Sequence, residues 1–235
     1  MREKACCLIR GVSSFLWWLL RKEKTGTMKK NQEGWDRQVL DEEMKQNPEL
    51  YGPGLKHDQT LMSHRRGTFG PLGNLADNGC GVLAVHNLLT MLGIPESCEV
   101  LFRRFNRSWL VSTLLGGLLG TNLLYVLFLL KKLGCRYCGF YMRLGSGKKD
   151  REASQAAQQA EERTRACGAR AYLAVYGWSD GRGHVGAHFQ ALEDVAGESG
   201  AFAAYNTPNG VYHSFLEFQR AAGAWALIII GYDRM

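Results

Sequence analysis

Apolar positions along the chain change period more than once, and the changes divide it into elements. Residues 34–47 carry Trp35, Val39, Leu40 and Met44 among charges, the spacing of a short amphipathic helix. Residues 48–73 lose that period. They hold Pro53, Pro71 and five glycines, which predicts a loop-rich approach segment. The stretch Asn74–Gly79 is polar and turn-like. After it, Val82, Val85, Leu88, Leu89 and Leu92 recur at helical spacing, so a helix is predicted over Cys80–Leu92, closed by Gly93 and Pro95. A further helix is expected over residues 98–108, with Val100, Leu101 and Phe105 on its apolar side.

Residues 109–130 contain no charge, and their length alone would suit a membrane span. Gly116-Gly117 and Gly120-Thr121-Asn122 interrupt the run, so it reads instead as two short buried elements. Thr121 or Asn122 caps the second, which runs to Lys132 and stops at Gly134. From there residues 135–143 read as a strand and the Ala-rich residues 150–166 as an exposed helix. Strands are predicted at Ala171–Tyr176, Ala187–Leu192, Ala201–Tyr205 and Trp225–Ile230, with a helix at Ser214–Ala222 before the last. Helices first and strands later is an α+β layout. There is no internal repeat.

Composition narrows the function. The 235 residues are 46% hydrophobic and 22% charged, enough for one domain with its own core. The net charge of +7 is unevenly spread: residues 1–31 hold 8 basic and 2 acidic residues, residues 32–235 hold 21 and 20. The domain at 32–235 is therefore close to neutral, and nucleic acid is not expected as a partner. The basic segment 1–31, with Trp17 and Trp18, suits an inert leader, a membrane-surface contact or an atypical export signal, and Met28 offers an alternative start. Seven cysteines at irregular spacing do not form a disulfide framework, which favours a reducing, cytoplasmic setting over a membrane-associated or exported one.

Cys80 falls at a helix start between Gly79 and Gly81. Unpaired amides and the positive end of the helix dipole there favour a thiolate, the form in which cysteine is a nucleophile. Its own amide can donate to an oxyanion. His188 begins the strand run His188–Leu192, where a rigid backbone can hold a base against a facing helix. Asn206 ends the next predicted strand, placed to orient the imidazole from a neighbouring strand. The chain order of helix cysteine, strand histidine and strand asparagine carries more than any one of them.

These residues resemble a known family. Asn78-Gly79-Cys80-Gly81-Val82-Leu83-Ala84 with Asn87 looks like the nucleophile helix of papain-like cysteine peptidases, in the bacterial branch that includes the bacteriocin (double-glycine) leader peptidases. Gly186–Leu192 looks like that branch's histidine strand, and Ala204–Pro208 occupies the place of its Asp or Asn turn. The likeness spans roughly residues 68–232. It implies a papain-like fold with the cysteine helix packed on an antiparallel sheet and a cysteine–histidine–Asn/Asp mechanism, here Cys80, His188 and Asn206; the expected substrate is a peptide or small amide, and no metal or cofactor is expected. The family carries a glutamine some six residues before the cysteine as oxyanion donor. Here Asn74 stands at that place and Asn78 is closer, which makes these two the candidate donors.

Other constellations read as structural. Cys135 and Cys138, three apart on a strand, point to opposite faces and cannot easily share an ion. His184 could compete with His188 for the base role. His86 and Asn87, farther along the cysteine helix, suit packing or capping of a neighbouring loop. Two alternatives to hydrolysis share these residues: a peptide-binding module that keeps the fold, and acyl transfer to an amine. Oligomeric state is left open.

Overall fold

A computed structural model describes residues 37–94, 96–117, 119–145, 151–179, 185–195, 200–206 and 209–235. The segment 1–31 and His184 lie outside the described residues. The amphipathic start forms helix α1 (Arg37–Gln46), which buries Leu40 and Met44. The approach segment is not all loop. It holds a helical turn, α2 (Pro48–Tyr51), begun by a proline whose missing N–H needs no partner there, and a 3-10 turn at Gln59–Leu61 capped by Asp58. The polar stretch expected as a plain turn is helix α3 (Leu75–Asn78), which runs through Gly79 into α4 (Cys80–Met91). A side chain at Gly79 would meet the Leu75 carbonyl at 2.6 Å, so the junction requires glycine.

From Cys80 to Leu89 every residue of α4 is buried, as expected of a helix that is apolar all round. Around it stand α5 (Cys98–Arg107), α6 (Trp109–Ser112) and α7 (Leu123–Lys132). The uncharged run is broken where its glycines predict, by a Thr113–Thr121 bridge that encloses a 3-10 turn at Leu115–Gly117. Asn122 caps α7 by accepting from the Leu124 amide. The expectation that both halves are buried holds only in part, since Leu115 is 67% and Leu119 61% exposed at the loop tip. Among the described residues no helix is long and apolar enough to cross a membrane.

The second half builds strand β1 (Cys135–Leu144), helix α8 (Arg151–Arg165), strands β2 (Ala171–Ser179), β3 (Val185–Asp194), β4 (Phe202–Tyr205) and β5 (Gly210–Tyr212), helix α9 (Phe215–Ala221) and strand β6 (Ala224–Arg234). The three-residue β5 has no counterpart in the sequence reading. The strands form one antiparallel sheet in the order β1-β6-β2-β3-β4-β5. The fold is thus a mixture of helices and antiparallel sheet, α+β in class.

Strand alternation sends side chains into two cores. Ala171, Leu173, Phe189, Ala191 and Ile230 pack with α4, whereas Tyr172, Ala174, Leu192 and Ile229 join Phe215 and Phe218 of α9. Cys135 lies in the first core and Cys138 against the second, so the two thiols do point apart. One buried charge pins the second layer. Glu161 of α8 accepts from the Phe215 amide (2.9 Å) and from Arg165 Nε (3.1 Å), and Arg165 lies over the Phe202 and Phe215 rings. Glu161→Ala strands both donors in a site that is only 8% exposed. The expected cost is about 3 kcal/mol, read as a lower urea midpoint, with Glu161→Gln costing less because it keeps an acceptor.

Candidate active site

The α3–α4 junction sets Cys80 at the beginning of a helix whose Val82 and Leu83 amides already bond the Gly79 carbonyl. The Cys80 and Gly81 amides lack such intrahelical partners and lie within reach of the Cys80 sulfur. A third donor comes from the sheet: the backbone N–H of Phe189, the residue after His188, also reaches this sulfur. The helix-start cysteine and the middle of β3 therefore occupy one corner of the fold.

The expectation that this position lowers the thiol pKa needs correction. All three amides act in that direction, but Cys80 is only 4% exposed, and burial outweighs them and pushes the thiol up to about 11. The resting group is a protonated thiol. Burial also raises Cys98 to about 12 and Cys135 to about 11. These groups hold their protons more tightly folded than unfolded. Their contribution to stability is complete below the ordinary thiol value and is lost as pH rises from about 9 towards 11–12. The denaturant midpoint should fall across this interval, by about 1.4 kcal/mol per thiol and pH unit, and recover when pH is lowered again. A flat profile between pH 9 and 11 would contradict the burial of these thiols.

His188 stands opposite Tyr176 in the β2–β3 register, with ring centroids 5.5 Å apart. Its Nε2 lies 3.4 Å from Nδ2 of Asn206. Asn206 is fully buried and follows β4 with φ 86°, the left-handed region that asparagine tolerates better than most residues. Neighbours hold it there. Gln190 Nε2 donates to the Asn206 carbonyl (2.6 Å), and Tyr176 in turn donates to Gln190 Oε1 (3.0 Å). The Asn206 side chain accepts from the Gln59 amide (3.1 Å) and donates to Gln59 Oε1 (2.8 Å), while Gln59 Nε2 donates to the Ala76 carbonyl (2.7 Å). Gln59, Gln190 and Tyr176 thus belong to the site although the sequence assigned them no role. The one signal was Gln190, a polar residue inside an apolar strand.

The structure gives the candidate oxyanion donors different duties. Asn74 caps α3: its Oδ1 accepts from the Asp77 amide (2.8 Å) and its Nδ2 donates to the Asp77 carboxylate (2.7 Å). One N–H of the Asn74 amide is thus engaged in the cap. Asn78 accepts from the Asn74 amide through Oδ1 (3.1 Å) and so braces the same turn. The backbone amides of Cys80, Gly81 and Phe189 are donors at the Cys80 corner. His86 and Asn87 hold a loop: Asn87 exchanges two 2.8 Å bonds with Lys56, and His86 meets the Gly54 and Glu96 carbonyls. Among the described residues no group of three or more His, Cys, Asp or Glu is arranged to hold a metal ion.

Comparison of the chain with family models, curated proteins and solved structures finds no match.

Proposed function

We propose that this domain is a thiol hydrolase with a papain-like arrangement, acting on a peptide or small amide. One observation carries the reading: the Cys80 sulfur rests against the backbone amide of Phe189, the residue after His188, with the Cys80 and Gly81 amides beside it. Nε2 of His188 faces Asn206, so Nδ1 is the ring nitrogen assigned to the thiol. In the reactive form a bare Nδ1 takes the Cys80 proton as the sulfur bonds to the substrate carbonyl carbon, and the carbonyl electron pair moves onto oxygen. Collapse expels the amine, which takes the proton from His188, and water then cleaves the thioester. The Cys80 and Gly81 amides are placed to receive the oxyanion.

The test is active-site labelling of the full chain with a thiol-directed acyl electrophile at neutral pH, mapped by mass spectrometry, beside turnover of a peptide mixture. Modification centred on Cys80 and lost in His188→Ala supports the reading. Equal modification of Cys80 with and without His188 would sink it. A second reading has one observation in its favour. A thiol raised to about 11 is a poor resting nucleophile, which suits a module that binds peptide without cleaving it. Peptide bound without turnover, with Cys80 inert, would establish that alternative, and amide transfer to an added amine would redirect the chemistry to acyl transfer.

A further inference from the structure

The hydrogen bonds around Asn206 leave little freedom in which end of its amide faces His188. Two backbone groups anchor the network. The Gln59 N–H can only donate, so the Asn206 atom it meets must be the oxygen. The Ala76 carbonyl can only accept, so the Gln59 atom it meets must be the nitrogen, which turns Gln59 Oε1 towards Asn206. Turning either amide over would set donor against donor at one end and oxygen against oxygen at the other. The Asn206 NH2 group therefore points at His188 Nε2. A nitrogen facing an N–H donor serves as acceptor, so the neutral ring carries its proton on Nδ1.

We propose that Gln59 is a positioning residue that, through Asn206, holds His188 in the Nδ1–H tautomer and so keeps the Cys80–His188 pair in a less reactive resting state. The consequence for Cys80 rests on the hydrolase reading above. With a proton already on Nδ1, that nitrogen cannot take the Cys80 proton, and the ring becomes an imidazolium only by protonation at Nε2. That cation would place an Nε2–H against the Asn206 NH2 group. The reactive form requires Asn206 to present its oxygen instead, which costs both bonds to Gln59. The buried, protonated Cys80 agrees with such a resting pair.

Two substitutions release the hold by different routes. Gln59→Pro removes the N–H and the side-chain amide together. The site tolerates proline: Gln59 opens a 3-10 turn, and Asp58 before it is extended (φ −148°, ψ 110°). Asn206→Asp puts an oxygen towards Nε2 whichever way the group turns, while the other oxygen still accepts the Gln59 N–H.

The deciding measurement is a long-range proton–nitrogen correlation spectrum of the full chain labelled in its histidines, with His188 assigned by its loss in His188→Gln. In the unmodified protein near neutral pH, Nδ1 should show a pyrrole-like shift and Nε2 a pyridine-like one. Both variants should reverse this pattern. Asn206→Asp should also raise Cys80 alkylation at pH 7 by about tenfold or more, the gain for each unit by which the thiol pKa falls. An Nε2–H tautomer in the unmodified protein overturns the proposal even if Gln59→Pro fails to fold. The two readings fail separately. Turnover through Cys80 with an Nε2–H resting ring removes this inference and leaves the hydrolase. An Nδ1–H ring with Cys80 inert in every variant does the reverse.

Discussion

Cys80→Ala is expected to abolish turnover, by about 10³-fold or more, while leaving the fold in place. Removing a nucleophile eliminates the covalent path, and what remains is catalysis by binding and by the amides alone. The structural cost is small by comparison. The side chain is one buried thiol at a helix start, and its truncation should cost about 1 kcal/mol, with little change in the unfolding slope. Labelling must be followed by peptide mapping, because Cys138 and Cys167 are partly exposed and provide a background. Cys98 and Cys135 are buried with raised pKa values and should stay silent. A Cys80→Ala protein that keeps full turnover would remove the site from this corner of the fold altogether.

The second large effect is expected at the neighbouring residue. Gly81→Ala introduces a Cβ 2.5 Å from Cβ and Cγ2 of Thr121 and 2.6 Å from its Oγ1. Alanine should gain about 1 kcal/mol over glycine in a helix interior, and less at this first turn. The overlap works against that gain. Thr121 is 4% exposed and tied to Thr113, so it cannot swing aside as a flexible chain end would. Overpacking of this kind costs about 1–3 kcal/mol and here should be at the upper end or beyond, giving a net loss of about 2 kcal/mol. Turnover should fall too, since the Gly81 amide is one of the donors facing the thiol. Thr121→Gly removes all three clashing atoms, and the double variant should recover most of the stability lost by Gly81→Ala. Denaturant midpoints of the four proteins make the cycle. Additive losses would mean that the 113–121 loop does not press on α4.

How far the sequence revealed this site depends on the range of each interaction. Helix α4 was legible because its signal is local: apolar residues on all sides, glycines before it, and Gly93 after it. The strand carrying His188 and the strand that leads into Asn206 were legible for the same reason, and so was the α+β class. The breaks in the uncharged run were readable from Gly116-Gly117 and Gly120, but not the exposure of Leu115 and Leu119, which depends on what lies beside the loop. Asn74–Gly79 shows how one composition admits two outcomes: the residues that suit a turn also suit a short capped helix. Gln59 was invisible because nothing near it in the chain marks it, and its partner lies 147 residues away. The protonation of Cys80 was misjudged for a related reason. A helix start can be read from neighbours, but the depth at which the thiol lies is set by β3 closing over it.

The strand order also bears on when this site can come into being. Strand β6, at residues 224–234, lies between β1 and β2 and supplies hydrogen bonds to both. A chain emerging from the ribosome can fold α4 and pair β2 with β3 early, yet β1 has no place in the sheet until β6 arrives. The first core includes Ile230 and Tyr232, so it too closes only with that strand. Completion of the corner around Cys80 is therefore tied to β6, and nascent chains that have not reached it leave the thiol and the apolar faces beside it open to solvent.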